Sequence, residues 1–155
     1  MKVRILAAVV GIAAVLTGSL AASPALATDG PDSVRVYYPG FSGSGGQASA
    51  TIDFISRTEV IYRNFTVRDL CPEDGRPVRA QAVTVDANGF GRNLGPMKAV
   101  VNGCGPNGTN FGTIRVIDAN GVAKAHLRVC VYADASGNLR CATSEGRDNP
   151  HFRAL

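Results

Sequence analysis

The segment at residues 130–141, CVYADASGNLRC, has a cysteine at each end of a predicted β-hairpin. Its centre, DASG, has Asp134 at the first position and Gly137 at the fourth, which are the residue preferences of a type I turn. If Asp134 pairs with Gly137, the same register places Cys130 opposite Cys141. The pattern therefore predicts a disulfide that clasps two antiparallel strands, and this clasp constrains the fold more than any other feature of the chain.

Two further cysteines, Cys71 and Cys104, bring the count to four. An even count in an exported chain favours disulfides, and four cysteines allow three connectivities, none of which the sequence alone excludes. Because the hairpin favours Cys130–Cys141, we expect Cys71 to pair with Cys104 by elimination. The alternatives are a zinc site and a redox pair, but both need closely spaced ligands such as C-x-x-C, which the sequence lacks.

Residues 1–27 have the features of a secretory signal peptide. Lys2 and Arg4 give a positive start, residues 5–16 form an uncharged apolar run, and SPALA at 23–27 ends in an A-x-A cleavage pattern. A retained membrane anchor is the competing interpretation, but the run is shorter than the roughly 20 residues that span a bilayer. We therefore expect a secreted, extracellular protein.

The remaining residues, 28–155, are enough for a single β domain with a hydrophobic core. We expect an ordered core at about 33–143 and a C-terminal tail at about 144–155, with no membrane span after cleavage. Loss of the leader removes two basic side chains, which leaves 14 of the 16 basic residues against 12 acidic ones and a net charge of about +2. So small a charge argues against nucleic-acid binding.

Short runs rich in Val, Ile, Thr, Tyr and Phe are separated by Gly, Pro, Asn or Asp about every 8 to 12 residues, a spacing typical of β-sandwiches and barrels. We predict an all-β fold: a single-domain antiparallel β-sandwich with Ig-like, Greek-key or meander connections, stapled by two disulfides. The predicted strands lie at 33–38, 47–56, 59–68, 77–86, 97–101, 111–118, 122–132 and 138–143.

Alternation of apolar and polar residues is clearest in QASATIDFIS at 47–56 and VAKAHLRVCVY at 122–132. In the second, the alternation places Cys130 on the polar face, outside the core. Two other stretches are irregular: EVIYRNFTVRD at 59–69 has apolar residues on both faces, and the apolar row of the next strand changes near Val83. A bulge or burial on both faces would explain either.

The tetrapeptide Asp-Ala-Asn-Gly occurs twice, within 83–91 and 114–123, and YADASGNL is a looser third copy. Hairpin turns that share one chemistry are the favoured interpretation. The alternative is a calcium site with oxygen ligands from Asp86, Asn88, Asp118 and Asn120. A full calcium loop has more acidic positions at alternating spacing, so we predict turns and no metal.

Few side chains suit acid–base catalysis. Of the two histidines, His151 lies in the predicted tail, and His126 lies between Lys124 and Arg128 on the polar face of a strand. Such a row suits an anion or a sugar acid, although a solvated strand face is the favoured interpretation. We predict no catalytic residues and no cofactor.

Asp69, Glu73 and Asp74 cluster near a cysteine and offer paired carboxylates of the kind that hydrolyse glycosides. Solvated charge around a turn is the favoured interpretation, and the chain has no tryptophan on which a sugar could stack. Tyr37 and Tyr38 are adjacent in a strand, so one should point inward and the other outward, where it could form an aromatic contact.

The segments VRDLCPEDGRPV, NGCG, LRVCVY and CATSEGRDNP, together with the export signal, resemble those of small secreted actinobacterial proteins of unassigned function. The resemblance covers most of the chain after the leader. It implies a compact β domain held by disulfides, and it carries over no catalytic residues.

These features favour a non-catalytic extracellular binding module that is a monomer and takes a protein or a cell-wall glycan as its partner, with protease inhibition as one form of such binding. Two alternatives stay open. One is a small extracellular hydrolase that uses the carboxylates, and the other is a cell-surface structural protein that self-associates through an uncovered edge strand.

Overall fold

The computed structural model describes residues 29–39, 43–70, 76–92, 95–100 and 107–152. These residues form strands and no helix, and 61% of them lie in strands, which confirms the all-β class. Every predicted strand segment overlaps one of eight strands: β1 (Gly30–Tyr37), β2 (Gly45–Ser56), β3 (Glu59–Asp69), β4 (Val78–Val85), β6 (Lys98–Val100), β8 (Ile114–Ile117), β9 (Lys124–Tyr132) and β10 (Leu139–Thr143). Three further pairs of residues form β5 (Gly91–Arg92), β7 (Thr109–Asn110) and β11 (Arg147–Asp148).

The strands form two antiparallel sheets. The first sheet has the order β1–β2–β3–β7, and β8 also pairs with β3. The second sheet has the order β10–β9–β4–β5, while β11 also pairs with β9 and β6 with β4. Each sheet is therefore built around two long central strands, β2 and β3 in the first and β4 and β9 in the second.

Side chains from both sheets form one hydrophobic core cluster. Strand β9 contacts β1 and β2, and β4 contacts β2 and β3. At Gly46 the sheets approach so closely that an added Cβ would lie 2.5 Å from Cγ1 of Val78. Burial of these apolar side chains is the main favourable contribution to folding.

A bulge interrupts the pairing of β2 with β3. Ser49 pairs with Thr66, whereas Thr51 pairs with Arg63, so the register shifts by one residue. Asn64 lies in this shift and has a positive φ of 53°. Because a bulge moves alternate side chains to the opposite face, it explains why apolar residues fall on both parities of the β3 sequence.

The second irregular strand, β4, is explained by burial on both faces and not by a bulge. Val83 and Thr84 are adjacent in β4, yet they are only 8% and 1% exposed. Strand β4 pairs with β9 without a register shift. The change of apolar row near Val83 therefore reflects burial on both faces of the second sheet.

The hairpin clasp is confirmed. Cys130 on β9 lies opposite Cys141 on β10 and forms a disulfide with an S–S distance of 2.05 Å. Cys130 is outside the core cluster, as the alternation predicts, but it is buried. Cys71 and Cys104 lie outside the described residues, so their pairing stays a prediction.

The three repeated segments are turns of one type, but only two of them are hairpin turns, because the turn at 118–121 joins β8 of the first sheet to β9 of the second. In each, the carboxylate of the first residue accepts a hydrogen bond from the backbone N–H two residues later, at 2.9 to 3.0 Å: Asp86 from Asn88, Asp118 from Asn120, and Asp134 from Ser136. A glycine with positive φ then lies at the fourth position of each turn. Within the described ranges, no group of three or more His, Cys, Asp or Glu side chains is placed to hold a metal ion.

Part of the segment expected to be a tail packs against the domain. Strand β11 pairs with β9, and Asn149 is buried, with its Nδ2 donating to the carbonyl oxygens of Ser56 at 2.9 Å and Val122 at 2.8 Å. The predicted signal peptide at 1–27 lies outside the described residues. No helix long and apolar enough to cross a membrane is found in the part of the chain that the structure describes.

Candidate binding groove on the first sheet

A row of small polar side chains crosses the outer face of the first sheet. Ser33 on β1 pairs with Ser49 on β2, Ser49 pairs with Thr66 on β3, and Thr66 pairs with Asn110 on β7. Their neighbours along each long strand, such as Ala48, are buried in the core, so the row itself faces outward. We call these four residues the hydroxyl row.

A second row runs beside it. Arg35, Gln47 and Arg68 are paired in register across β1, β2 and β3. The guanidinium group of Arg35 has no hydrogen-bond partner among the described residues. Tyr37 lies two residues further along the same face of β1 and is 42% exposed. The face therefore combines hydroxyl, amide and guanidinium groups with one aromatic ring.

On the other side of the hydroxyl row, the positive charge of Arg63 is neutralised by a carboxylate of the same sheet. Arg63 is exposed, and its Nε donates to Oδ2 of Asp53 at 2.8 Å, while its terminal nitrogen contacts the same oxygen. This ion pair separates the polar rows from the β2–β3 turn. The unpaired cation of the described face is thus at the β1 side of the sheet.

The outer face carries an open depression. A groove with a volume of about 880 Å³ contains Ser33, Arg35, Ser49 and Thr66 and extends over the edge of β1 to Ser144 and Glu145. A smaller depression of about 180 Å³ adjoins it and shares Ser49 and Thr66. Together, the two depressions cover three members of the hydroxyl row, Ser33, Ser49 and Thr66, and all of the row of Arg35, Gln47 and Arg68.

Hydrogen bonds between the sheets fix the wall of the groove. The hydroxyl of Ser144 donates to Oδ2 of Asp32 at 2.5 Å and accepts from the backbone N–H of Leu127 at 2.9 Å. The other oxygen of Asp32 accepts from the N–H of Ser33 at 2.9 Å. These bonds join β1 to the second sheet, so hydrogen bonds within the protein hold the wall of the groove in place.

The histidines are bonded to backbone carbonyl oxygens. His126 Nδ1 lies 2.9 Å from the carbonyl oxygen of Ser144, and His151 Nε2 lies 3.1 Å from that of Phe54. A carbonyl oxygen only accepts, so each of these nitrogens carries a proton. The imidazole of His126 therefore joins β9 to the segment after β10, and that of His151 joins the segment after β11 to β2.

The predicted carboxylate cluster is only partly described. Asp69 is at the end of β3, opposite Gly46, and is 4% exposed, so it is not the solvated loop residue that the sequence suggested. Glu73 and Asp74 lie outside the described residues. The paired-carboxylate hypothesis is therefore untested, and Asp69 is not among the residues that line the groove.

The adjacent tyrosines divide as predicted. Tyr37 is exposed on the outer face, whereas Tyr38 is partly buried and packs against the core. The polar positions of β2, including Ser49, could be identified from the sequence, but their alignment with those of β1 and β3 could not. Cross-strand alignment is the signal that defines the groove.

Searches against models of protein families, against curated proteins and against solved structures find no match to this chain.

Proposed function

We propose that this protein is a secreted, non-catalytic binding module and that the groove on the first sheet binds a saccharide of an extracellular glycan. One observation carries the proposal. The side chains of Ser33, Ser49 and Arg35 point into a groove of about 880 Å³, and none of them has a hydrogen-bond partner among the described residues. Such groups are available to bind a ligand that is itself rich in hydroxyl groups.

The chemistry of the face matches a saccharide. Serine and threonine hydroxyls both donate and accept hydrogen bonds, as sugar hydroxyls do. The amide of Gln47 donates through its nitrogen and accepts through its oxygen. Tyr37, two residues beyond Arg35 on β1, adds an amphipathic ring against which the C–H face of a sugar ring can pack. An open groove with polar groups of this kind suits one segment of a longer glycan chain.

The scaffold we propose is a face-to-face β-sandwich, because one core cluster contains side chains from both sheets. In this account the signal peptide at 1–27 directs export, Cys71–Cys104 adds a second disulfide, and the module is a monomer. Alkylation under denaturing, non-reducing conditions tests the second disulfide. Intact mass should show no alkylated cysteine, and two alkylated thiols would remove Cys71–Cys104 from the account.

The groove is tested by calorimetric titration of the oxidised protein with soluble oligomers of glucose, mannose and N-acetylglucosamine and with peptidoglycan fragments. We expect saturable binding of at least one of these probes. Ser49→Gln fills the centre of the hydroxyl row, and Tyr37→Ala removes the ring, so each should weaken binding about tenfold or more, equivalent to about 1.4 kcal/mol.

Ser136→Gln is the matched control, since Ser136 is exposed in the β9–β10 turn and lies outside the groove. It should bind as the wild type does. Equal binding by Ser49→Gln and the control would contradict the assignment of the groove. Chromatography of the oligomers after incubation tests the non-catalytic part, because shortened oligomers would show hydrolysis.

A further inference from the structure

The outer face of the second sheet carries two arginines that the groove does not use. Arg79 on β4 pairs with Cys130, and Arg128 on β9 pairs with Gln81. The two arginines are therefore diagonal neighbours on one face, with backbone positions about 7 to 8 Å apart, within reach of long side chains. Thr143 on β10 lies on the other side of Arg128.

The other basic groups of this strand face have partners. Nζ of Lys124 lies 3.7 Å from Oδ1 of Asp148, and the ring of His126 bonds to the carbonyl oxygen of Ser144. Of the basic row Lys124, His126 and Arg128, only Arg128 has no partner among the described residues. The structure adds Arg79, which lies 45 to 49 positions away from that row in the sequence.

Arg79 is held in place without a counter-charge. Its terminal nitrogen donates to the hydroxyl of Tyr132 at 2.8 Å, and its guanidinium carbon lies 5.5 Å from the centre of the same ring. Its Nε is buried and has no hydrogen-bond partner within the described ranges. The ring contact orients the guanidinium group but leaves both its charge and its Nε–H uncompensated.

An unpaired, half-buried cation is costly, and a second cation beside it adds repulsion. The first sheet shows the usual solution, since Arg63 pairs with Asp53 and Arg115 pairs with Glu59. Neither Arg79 nor Arg128 has a carboxylate partner in the described part of the chain. A bound anion would compensate both charges at once and would use the fork geometry of the guanidinium groups.

We infer that Arg79 and Arg128 form an oxyanion site on the second sheet, which takes a carboxylate or phosphate group. The site is on the second sheet and meets the groove only at Thr143, which lines the edge of the groove. It uses none of Ser33, Arg35 and Ser49. A carboxylate presents two coplanar oxygens and a phosphate presents tetrahedral oxygens, and two guanidinium groups can share either set. The hydroxyl of Thr143 is a further donor.

The site is tested by nuclear magnetic resonance of the arginine Nε–Hε groups in the full, oxidised protein. Sodium phosphate and sodium acetate are titrated separately at constant ionic strength, which distinguishes the two sources of the oxyanion. We expect saturable shifts of Arg79 and Arg128 with at least one salt, and only small shifts of the ion-paired Arg63 and Arg115. Equal, unsaturated shifts of all arginines, or no shifts with either salt, would overturn the inference.

Two variants provide an independent check. Arg128→Gln should weaken binding of the effective salt about tenfold or more. Arg140→Gln, which removes an exposed arginine from the neighbouring strand β10, should leave it unchanged. Equal losses of anion binding in both variants would overturn the site in favour of general charge attraction. If Arg128→Gln does not fold, the titration of the wild type remains the test. Ser49→Gln should bind the anion normally, which separates this site from the groove.

Discussion

The hydroxyl of Tyr62 on the first sheet donates a hydrogen bond at 2.8 Å to the carbonyl oxygen of Val83 on the second sheet. Tyr62 is fully buried, so this bond crosses the core where no water competes for it. It gives the packing of the two sheets a directional component that apolar contacts lack. Because β3 supplies both Tyr62 and part of the groove, the bond also supports the binding face.

Tyr62→Phe should destabilise the protein by about 1 to 2 kcal/mol, because the ring still fills its site while the buried hydrogen bond is lost. Urea unfolding at neutral pH measures the change. Tyr37→Phe is the matched control, since it removes the hydroxyl of an exposed tyrosine and should change stability by less than about 0.5 kcal/mol. Equal effects of the two substitutions would contradict a role for the cross-sheet bond.

Burial, with a smaller contribution from the carboxylate of Asp32, raises the pKa of Tyr62 well above its usual value. The folded protein therefore keeps this phenol neutral, while the unfolded chain ionises it above about pH 10. The stability due to Tyr62 is complete below that pH and falls as pH rises further, by up to about 1.4 kcal/mol per unit. The stability difference between wild type and Tyr62→Phe should accordingly stay constant up to about pH 10 and shrink between about pH 10 and pH 11. A constant difference over that last range would contradict this linkage.

Replacing both Cys130 and Cys141 with alanine should destabilise the protein by about 3 kcal/mol, because the disulfide closes a short loop in the unfolded chain. Guanidinium unfolding without reductant measures the loss while any other disulfide stays intact. A loss below about 1 kcal/mol would mean that the β9–β10 pairing holds the hairpin without the clasp.

Asn64 holds a left-handed conformation at the bulge, with φ at 53°. Asn64→Val should cost about 1 to 2 kcal/mol, because a β-branched side chain is strained there. Asn64→Gly is the matched control and should remain within about 1 kcal/mol of the wild type. Thermal unfolding of the pair compares them, and equal stability would show that the bulge can move.

The strands and the hairpin clasp could be predicted because they depend on local pattern. The DASG turn alone set the register that joins Cys130 to Cys141, and apolar alternation alone located β2 and β9. The three Asp-based turns were equally accessible, since one carboxylate and one glycine determine each of them.

The groove could not be predicted in the same way. Ser33, Ser49, Thr66 and Asn110 come from four strands, and their alignment depends on the one-residue shift at Asn64. The sequence of β3 indicated an irregularity but not where the register changes. The pairing of Arg79 with Tyr132 likewise depends on contacts between β4 and β9, which no local pattern encodes.

An amide chemical-shift map tests whether the outer face of the first sheet is the binding surface. The map is recorded with the hexamer of N-acetylglucosamine and with each of the other saccharide probes. The account predicts saturable shifts at Ser33, Arg35, Ser49 and Thr66, and none at the β9–β10 turn. Shifts confined to the second sheet, or no shift with any probe, would contradict it.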